Sequence, residues 1–182
     1  MKRSIISSLS LFVAIIAASM TASAQSASVT STATIVTPIT ATATAPLAFG
    51  TISKGSASTI AATSASAAAV TISGDEADNV TVTIPSTVTI ATTAGAGANM
   101  TVTLNRASAR VGVTSTQASA TTMDASSGTA TTALSADASG DGVSGDGLGQ
   151  SYLWIGGTVT PTATQQRGAY TGTFTVSAAY SN

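Results

Sequence analysis

The sequence predicts an all-β protein, an antiparallel β-sandwich, and three observations carry that expectation. Apolar β-branched residues alternate with threonine in several short runs. No window of useful length holds a capped apolar stripe of helical period. Alanine, threonine and serine supply more than half of the 182 residues, whereas only 7% are charged and 4% aromatic. An average soluble domain is about 25% charged. Hydroxyls rather than ions therefore cover this surface.

The same composition excludes most function classes. The chain has no His and no Cys, which removes a Ser-His-Asp triad, a Cys nucleophile and the usual zinc, haem and iron–sulfur ligand sets. Only Lys54, Arg106, Arg110 and Arg167 are basic after residue 3. Four cations cannot neutralise a phosphate track, so no nucleic-acid partner is expected. The carboxylates are not framed by aromatic sugar platforms, as a glycosidase pair would be. Gly145-Asp146-Gly147-Leu148-Gly149 lacks the strand and helix that make a phosphate cradle and reads as a turn. No catalytic, cofactor-binding or metal-ligating residue is assigned, and the expectation is a protein that is not an enzyme.

Taken along the chain, residues 1–24 read as a cleavable signal peptide. Lys2 and Arg3 precede the apolar run Leu9–Ala18, and Ala22-Ser23-Ala24 supplies small residues for cleavage before Gln25. The run is shorter than the roughly 20 residues a membrane span needs, and no later stretch is apolar enough to span. The expected location is secreted, from periplasm to cell surface or extracellular. Residues 25–46 form an N-terminal extension and first strand. In it Val29, Ser31, Ala33 and Ile35 share one face, with Thr30, Thr32 and Thr34 opposite. An ordinary first strand, a frayed tail and a strand donated to another subunit all fit these residues.

Residues 47–182 read as the sandwich domain. Val80–Ile84, Thr87–Ile90 and Met100–Leu104 alternate clearly, with Pro85 marking a corner or edge between the first two. Leu47–Ile52, Val70–Ser73, Arg110–Thr114, Ser151–Val159 and Tyr170–Tyr180 are further strand candidates. Val80, Val82, Ile84, Val102, Leu104, Phe174 and Val176 are expected to share one core. Ala61–Ala69 reads as a loop or weak strand, and Asp75–Asp78 as a polar turn after Gly74. Ser115–Gly149 is poor in large apolar residues and holds four of the seven acids. It is expected to be a flexible insertion whose deletion leaves the thermal midpoint nearly unchanged. Its Asp137, Asp141 and Asp146 do not match the ligand spacing of an EF-hand loop and read as solvated turns.

The ends of the chain carry most of the functional information. In Gly168–Tyr180 (GAYTGTFTVSAAY), Tyr170, Gly172, Phe174, Val176, Ala178 and Tyr180 alternate with a threonine-rich face. A Gly with an aromatic twelve residues later, close to the C-terminus, resembles the last strand of chaperone–usher pilins. The stretch GAYTGTFTV is also similar to the ends of spore-coat-U-like subunits. Together with Ala48–Ile52, Val80–Pro85 and Leu153–Val159, it resembles a secreted bacterial family, domain of unknown function 4402.

These resemblances imply an immunoglobulin-like (pilin-like) sandwich that serves as a structural or surface-fibre subunit, with an adhesive role. The implied partners are a periplasmic chaperone and copies of itself or other fibre subunits. The implied assembly residues are Val29, Ala33 and Ile35 as donor strand, and Gly168, Tyr170, Phe174, Val176 and Tyr180 as the groove strand. The competing expectation is a monomeric sandwich that binds a glycan or other surface through a threonine-rich face.

Overall fold

A computed structural model describes residues 30–33, 37–92, 99–136 and 147–181. The strands are β1 (Thr40–Ala45), β2 (Ser58–Ile60), β3 (Ala68–Asp75), β4 (Asn79–Thr83), β5 (Thr87–Thr92), β6 (Met100–Leu104) and β7 (Ala109–Gly112). They continue with β8 (Thr121–Met123), β9 (Thr129–Ala133), β10 (Leu148–Ile155), β11 (Gly157–Val159), β12 (Tyr170–Thr171) and β13 (Ser177–Tyr180). Every ladder is antiparallel. One sheet runs β1-β3-β10-β7-β8, a second β12-β5-β6-β11-β2 and a third β13-β4-β9. The all-β antiparallel expectation holds. Residues 1–34 form a separate unit, in which Thr30–Ala33 is irregular and exposed.

The alternation read from the sequence produces the core directly. Ile72, Leu153 and Ile155 from the first sheet meet Val80, Val82, Val102, Leu104 and Val159 from the others. All are at most 3% exposed. Ile84 is buried with them, and Phe174 and Val176 pack against the cluster half-buried. Five of the seven residues expected to share a core are buried in it, and Phe174 and Val176 pack against its edge.

Four expectations about individual segments need correction. Leu47–Ile52 is not a strand. Pro46 removes a ladder donor and Gly50 takes φ 66°, so the run crosses as irregular chain. Ser151–Val159 is two strands in different sheets. At Gly156 between them, a Cβ would lie 2.2 Å from the Ile60 carbonyl oxygen, so only glycine lets the chain cross there. The long C-terminal alternation is likewise split, because Gly172–Val176 joins neither ladder. By contrast, the expectation of a loop or weak strand at Ala61–Ala69 holds, with turns as far as Ala67 and β3 beginning at Ala68.

The fourth correction is the largest. Ser115–Gly149 is not a structureless insertion as far as it is described. It contains β8 and β9 and the start of β10, and it buries Ala120, Met123, Ala125 and Leu134. Composition misled because small Ala and Thr residues can close a sheet without large side chains. β9 pairs with β4 from Asn79↔Ala133 to Thr83↔Thr129 and so covers the strand carrying Val80 and Val82. Deleting 115–136 is therefore expected to remove the cooperative thermal transition, which a circular-dichroism melt would show. Asp137, Asp141 and Asp146 lie outside the described residues. Asp124 is a local turn former. The Ser126 N–H donates to it at 2.8 Å and, with the Ser126 side chain, holds its carboxyl below the usual range.

Candidate functional site

The sandwich has a groove bordered by strand edges. β1 is the outermost strand of the first sheet, and β12 and β13 are outermost in the other two. Between these edges opens a groove of about 970 Å³. Ala41 and Ala43 face it, because their ladder partners Ile72 and Val70 point into the core. Such small side chains leave the volume empty. The irregular Leu47–Ile52 run lines the same side with Leu47, Phe49 and Ile52, while Val88, Ile90 and Met100 contribute from β5 and β6. Each of these larger residues touches the core and keeps part of its surface exposed.

The C-terminal run forms the opposite wall. Tyr170 and Thr171 pair with Thr92 and Ala91 of β5, and Ser177–Tyr180 pairs with Thr83–Val80 of β4. Between the two ladders the register changes by two residues, opposite the Pro85 break, where a backbone donor is missing. Gly172 permits the close approach, since a Cβ there would lie 2.4 Å from the Thr89 carbonyl oxygen. Phe174 and Val176 turn inward and line the groove. A strand edge of this kind, beside exposed apolar surface, is a template for another strand.

One end of the edge is closed by a clasp. The Tyr180 hydroxyl accepts a hydrogen bond from the Asp75 N–H (2.7 Å) and donates to the Thr37 carbonyl (2.6 Å). The Thr37 hydroxyl and N–H in turn donate to the Asp75 carboxylate at 2.5 and 3.1 Å. Gly74 makes room, because a Cβ there would lie 2.6 Å from the Tyr180 oxygen. The phenol thus bridges the chain entering β1 to the end of β3, just beyond the Thr40↔Ser73 pair that ends their ladder, and ties both ends of the domain together. At the other end, Lys54 and Arg167 line the groove, which holds no acidic residue among its lining.

The Thr37 hydroxyl, then its N–H, hold the Asp75 carboxyl below the usual carboxylate range against a smaller effect of burial. Its folded-state pKa is lowered, so its stabilising contribution is present above about pH 4 and lost as pH falls through the folded value. Asp75→Asn should flatten that acid arm of the midpoint-against-pH curve by lowering the midpoint at neutral pH, because a single amide oxygen replaces the two carboxylate oxygens that accept from Thr37.

The structure gathers most of the residues singled out in the sequence. Gly168, Tyr170, Phe174 and Val176 all line the groove. Tyr170 is further fixed by donating to the Gln166 carbonyl at 2.7 Å and accepting from Gln165 Nε2 at 3.0 Å. Tyr180 packs against the core but is absent from the lining. Its place is the clasp, a correction to its assignment as a groove residue. Ala33 is exposed, and Val29 and Ile35 lie outside the described residues. Sequence reasoning missed Leu47, Phe49 and Met100 as lining and Thr37 and Asp75 as clasp. The clasp has no local signature, since its partners lie 38 and 105 residues apart.

A second, shallower hollow of about 310 Å³ lies on the outer face of the first sheet, where Tyr152 and Trp154 stack with ring centroids 6.3 Å apart. Among the described residues no helix is long and apolar enough to cross a membrane. No curated protein and no solved structure matches the chain. A family model matches residues 16–180, and the chain belongs to that family, the domain of unknown function DUF4402.

Proposed function

We propose that the protein is a structural subunit of a surface fibre, built on an immunoglobulin-like sandwich, and that subunits join by strand complementation. The observation that carries this reading is the apolar groove between β1 and the C-terminal run. A free groove lined by Leu47, Phe49, Ile90, Phe174 and Val176 exposes apolar surface beside an unpaired strand edge. Such an edge is an aggregation hazard unless another segment fills it. An extended segment alternating apolar and threonine residues fits both the ladder and the floor, which is β-augmentation. The segment Gln25–Ile35 has that pattern and carries Val29, Ala33 and Ile35 on one face. A periplasmic chaperone strand would hold the groove during export in the same way. The absence of His and Cys from the sequence and the sparse carboxylates support a scaffold role rather than catalysis. Electron microscopy of the native cell surface, with and without this chain, tests the reading. Loss of thin fibres with the chain is the expected result, and an unchanged surface would overturn it.

A second reading has one observation in its favour. Thr40, Thr42 and Thr44 are exposed on the outer edge of the first sheet, and Thr44 borders the Tyr152–Trp154 hollow with Thr71 and Ser115. A hydroxyl-rich face beside an aromatic pair suits a neutral glycan. A stable wild-type monomer that bound immobilised glycan, with binding lost in Tyr152→Ala, would favour this reading over the fibre.

A further inference from the structure

The charge along the groove is confined to one end. Lys54 and Arg167 are the charged residues in its lining, and no carboxylate stands among the lining to pair them. The segment Gln25–Ile35 carries no charged side chain, so a strand of that composition leaves both cations without a counterion. We propose that the groove also binds a long-chain fatty acid, with the alkyl chain along the apolar floor and the carboxylate at Lys54 and Arg167. The inference goes beyond the strand-complementation reading and does not require it.

The cationic mouth is built from two loops tied to each other. Ser53–Ser56 is a tight turn, in which the Ser56 N–H donates to the Ser53 carbonyl at 3.2 Å and Gly55 takes φ 73°. Gly55 fills the third position of the turn, where positive φ is required, and so sets Lys54 at the second. The Gly55 N–H donates to the Pro161 carbonyl at 3.2 Å, which fastens the Lys54 turn to the loop that carries Arg167. Tyr170 holds the far side of that loop, accepting from Gln165 Nε2 at 3.0 Å and donating to the Gln166 carbonyl at 2.7 Å. Two like charges are thereby kept at one mouth. Both side chains are exposed, so a carboxylate bound there keeps part of its hydration and avoids the cost of a buried charge.

Away from the mouth the lining carries no charge. β1 borders the groove along its six residues, about 20 Å at roughly 3.3 Å per residue, and offers it the methyls of Ala41, Ala43 and Ala45. Val88, Ile90 and Phe174 supply larger apolar surface. The volume of about 970 Å³ lies near the upper end of small-molecule sites, roughly 300–1,000 Å³. Each methylene that leaves water along this floor adds to affinity. A neutral sugar would set hydroxyls on the apolar floor and bring no charge to the mouth. A cationic amphiphile would be repelled by Lys54 and Arg167. The combination of apolar trench and cationic mouth selects an anionic lipid with one alkyl chain.

Two amphiphiles of equal chain length and opposite charge test this by isothermal titration calorimetry below their micellar concentrations. Dodecanoate and dodecyltrimethylammonium are titrated into the delipidated Ile35→Asp monomer of the chain beginning at Gln25. Should that variant not fold, monomer of the wild-type chain isolated by size exclusion takes its place. Dodecanoate is expected to bind one to one, at least about tenfold more tightly than the cation, through charge-assisted contacts at the mouth. Lys54→Glu combined with Arg167→Glu should reverse that preference, and both positions are exposed, so the fold is not at stake. Ala43→Phe, which fills the groove from β1, should remove binding of both amphiphiles. Absence of dodecanoate binding, equal affinities for the two, a preference unmoved by the charge reversal, or full binding in Ala43→Phe would each overturn the inference. The strand-complementation reading fails separately, if the wild-type chain forms no multimers, whatever the titrations show.

Discussion

Ile35→Asp is expected to abolish multimers of the chain beginning at Gln25 while leaving a folded, soluble monomer. Size-exclusion chromatography with light scattering reads both outcomes at once. The size of the effect follows from where the side chain must go. If the extension fills the groove, Ile35 would meet its apolar lining, and burial of such a residue is worth about 1.5–3 kcal/mol. An aspartate at that position loses this contribution and must also shed its hydration or its charge. The combined change shifts an association constant by several orders of magnitude. The domain from Ile39 onward has its own core and should not notice the substitution. Loss of folding in Ile35→Asp would instead mean that residue 35 packs in the subunit's own sheet.

Leu153→Ala should produce the largest loss of stability available from a single side chain. Leu153 is 0% exposed, and its ladder partners are Val70 of β3 and Val111 of β7. Truncating a leucine so enclosed costs about 2–5 kcal/mol, from lost burial and the cavity left behind. For a domain of this size each kcal/mol lowers the midpoint by about 2–4 °C, so a drop on the order of 10 °C is expected in a thermal melt. By linkage, wild-type multimers should melt above the Ile35→Asp monomer, because a strand bound to the folded state alone stabilises it.

The strand-forming residues were legible wherever alternation was strong. Val80–Thr83 and Met100–Leu104 could be placed almost to the residue, because branched apolar side chains on one face have nowhere to go but the core. The failures share a physical cause. Leu47–Ile52 has the apolar content of a strand, but Pro46 and the positive φ of Gly50 divert it, and its side chains line the groove. The strands β8 and β9 were invisible because Ala and Thr carry little hydrophobic signal, although their backbones complete the ladders beside β7 and β4. Half of the candidate site, the wall of Tyr170, Phe174 and Val176, could be read from the C-terminal pattern. The other half, Ala41 and Ala43 facing an empty edge, depends on which strand does not arrive. The clasp depends on contacts across the fold that no local pattern encodes.

The central claim is that Gly172–Val176 receives a strand from another copy, and amide hydrogen exchange at those residues measures it most directly. In the Ile35→Asp monomer, the amides of Thr173 and Thr175 should exchange at rates close to those of open chain, as expected of an edge outside any ladder. In wild-type multimers the same amides should be slowed by at least about two orders of magnitude, because separation of the joint must precede exchange. Equal and rapid exchange in both preparations would contradict the account, whatever the size of the particles.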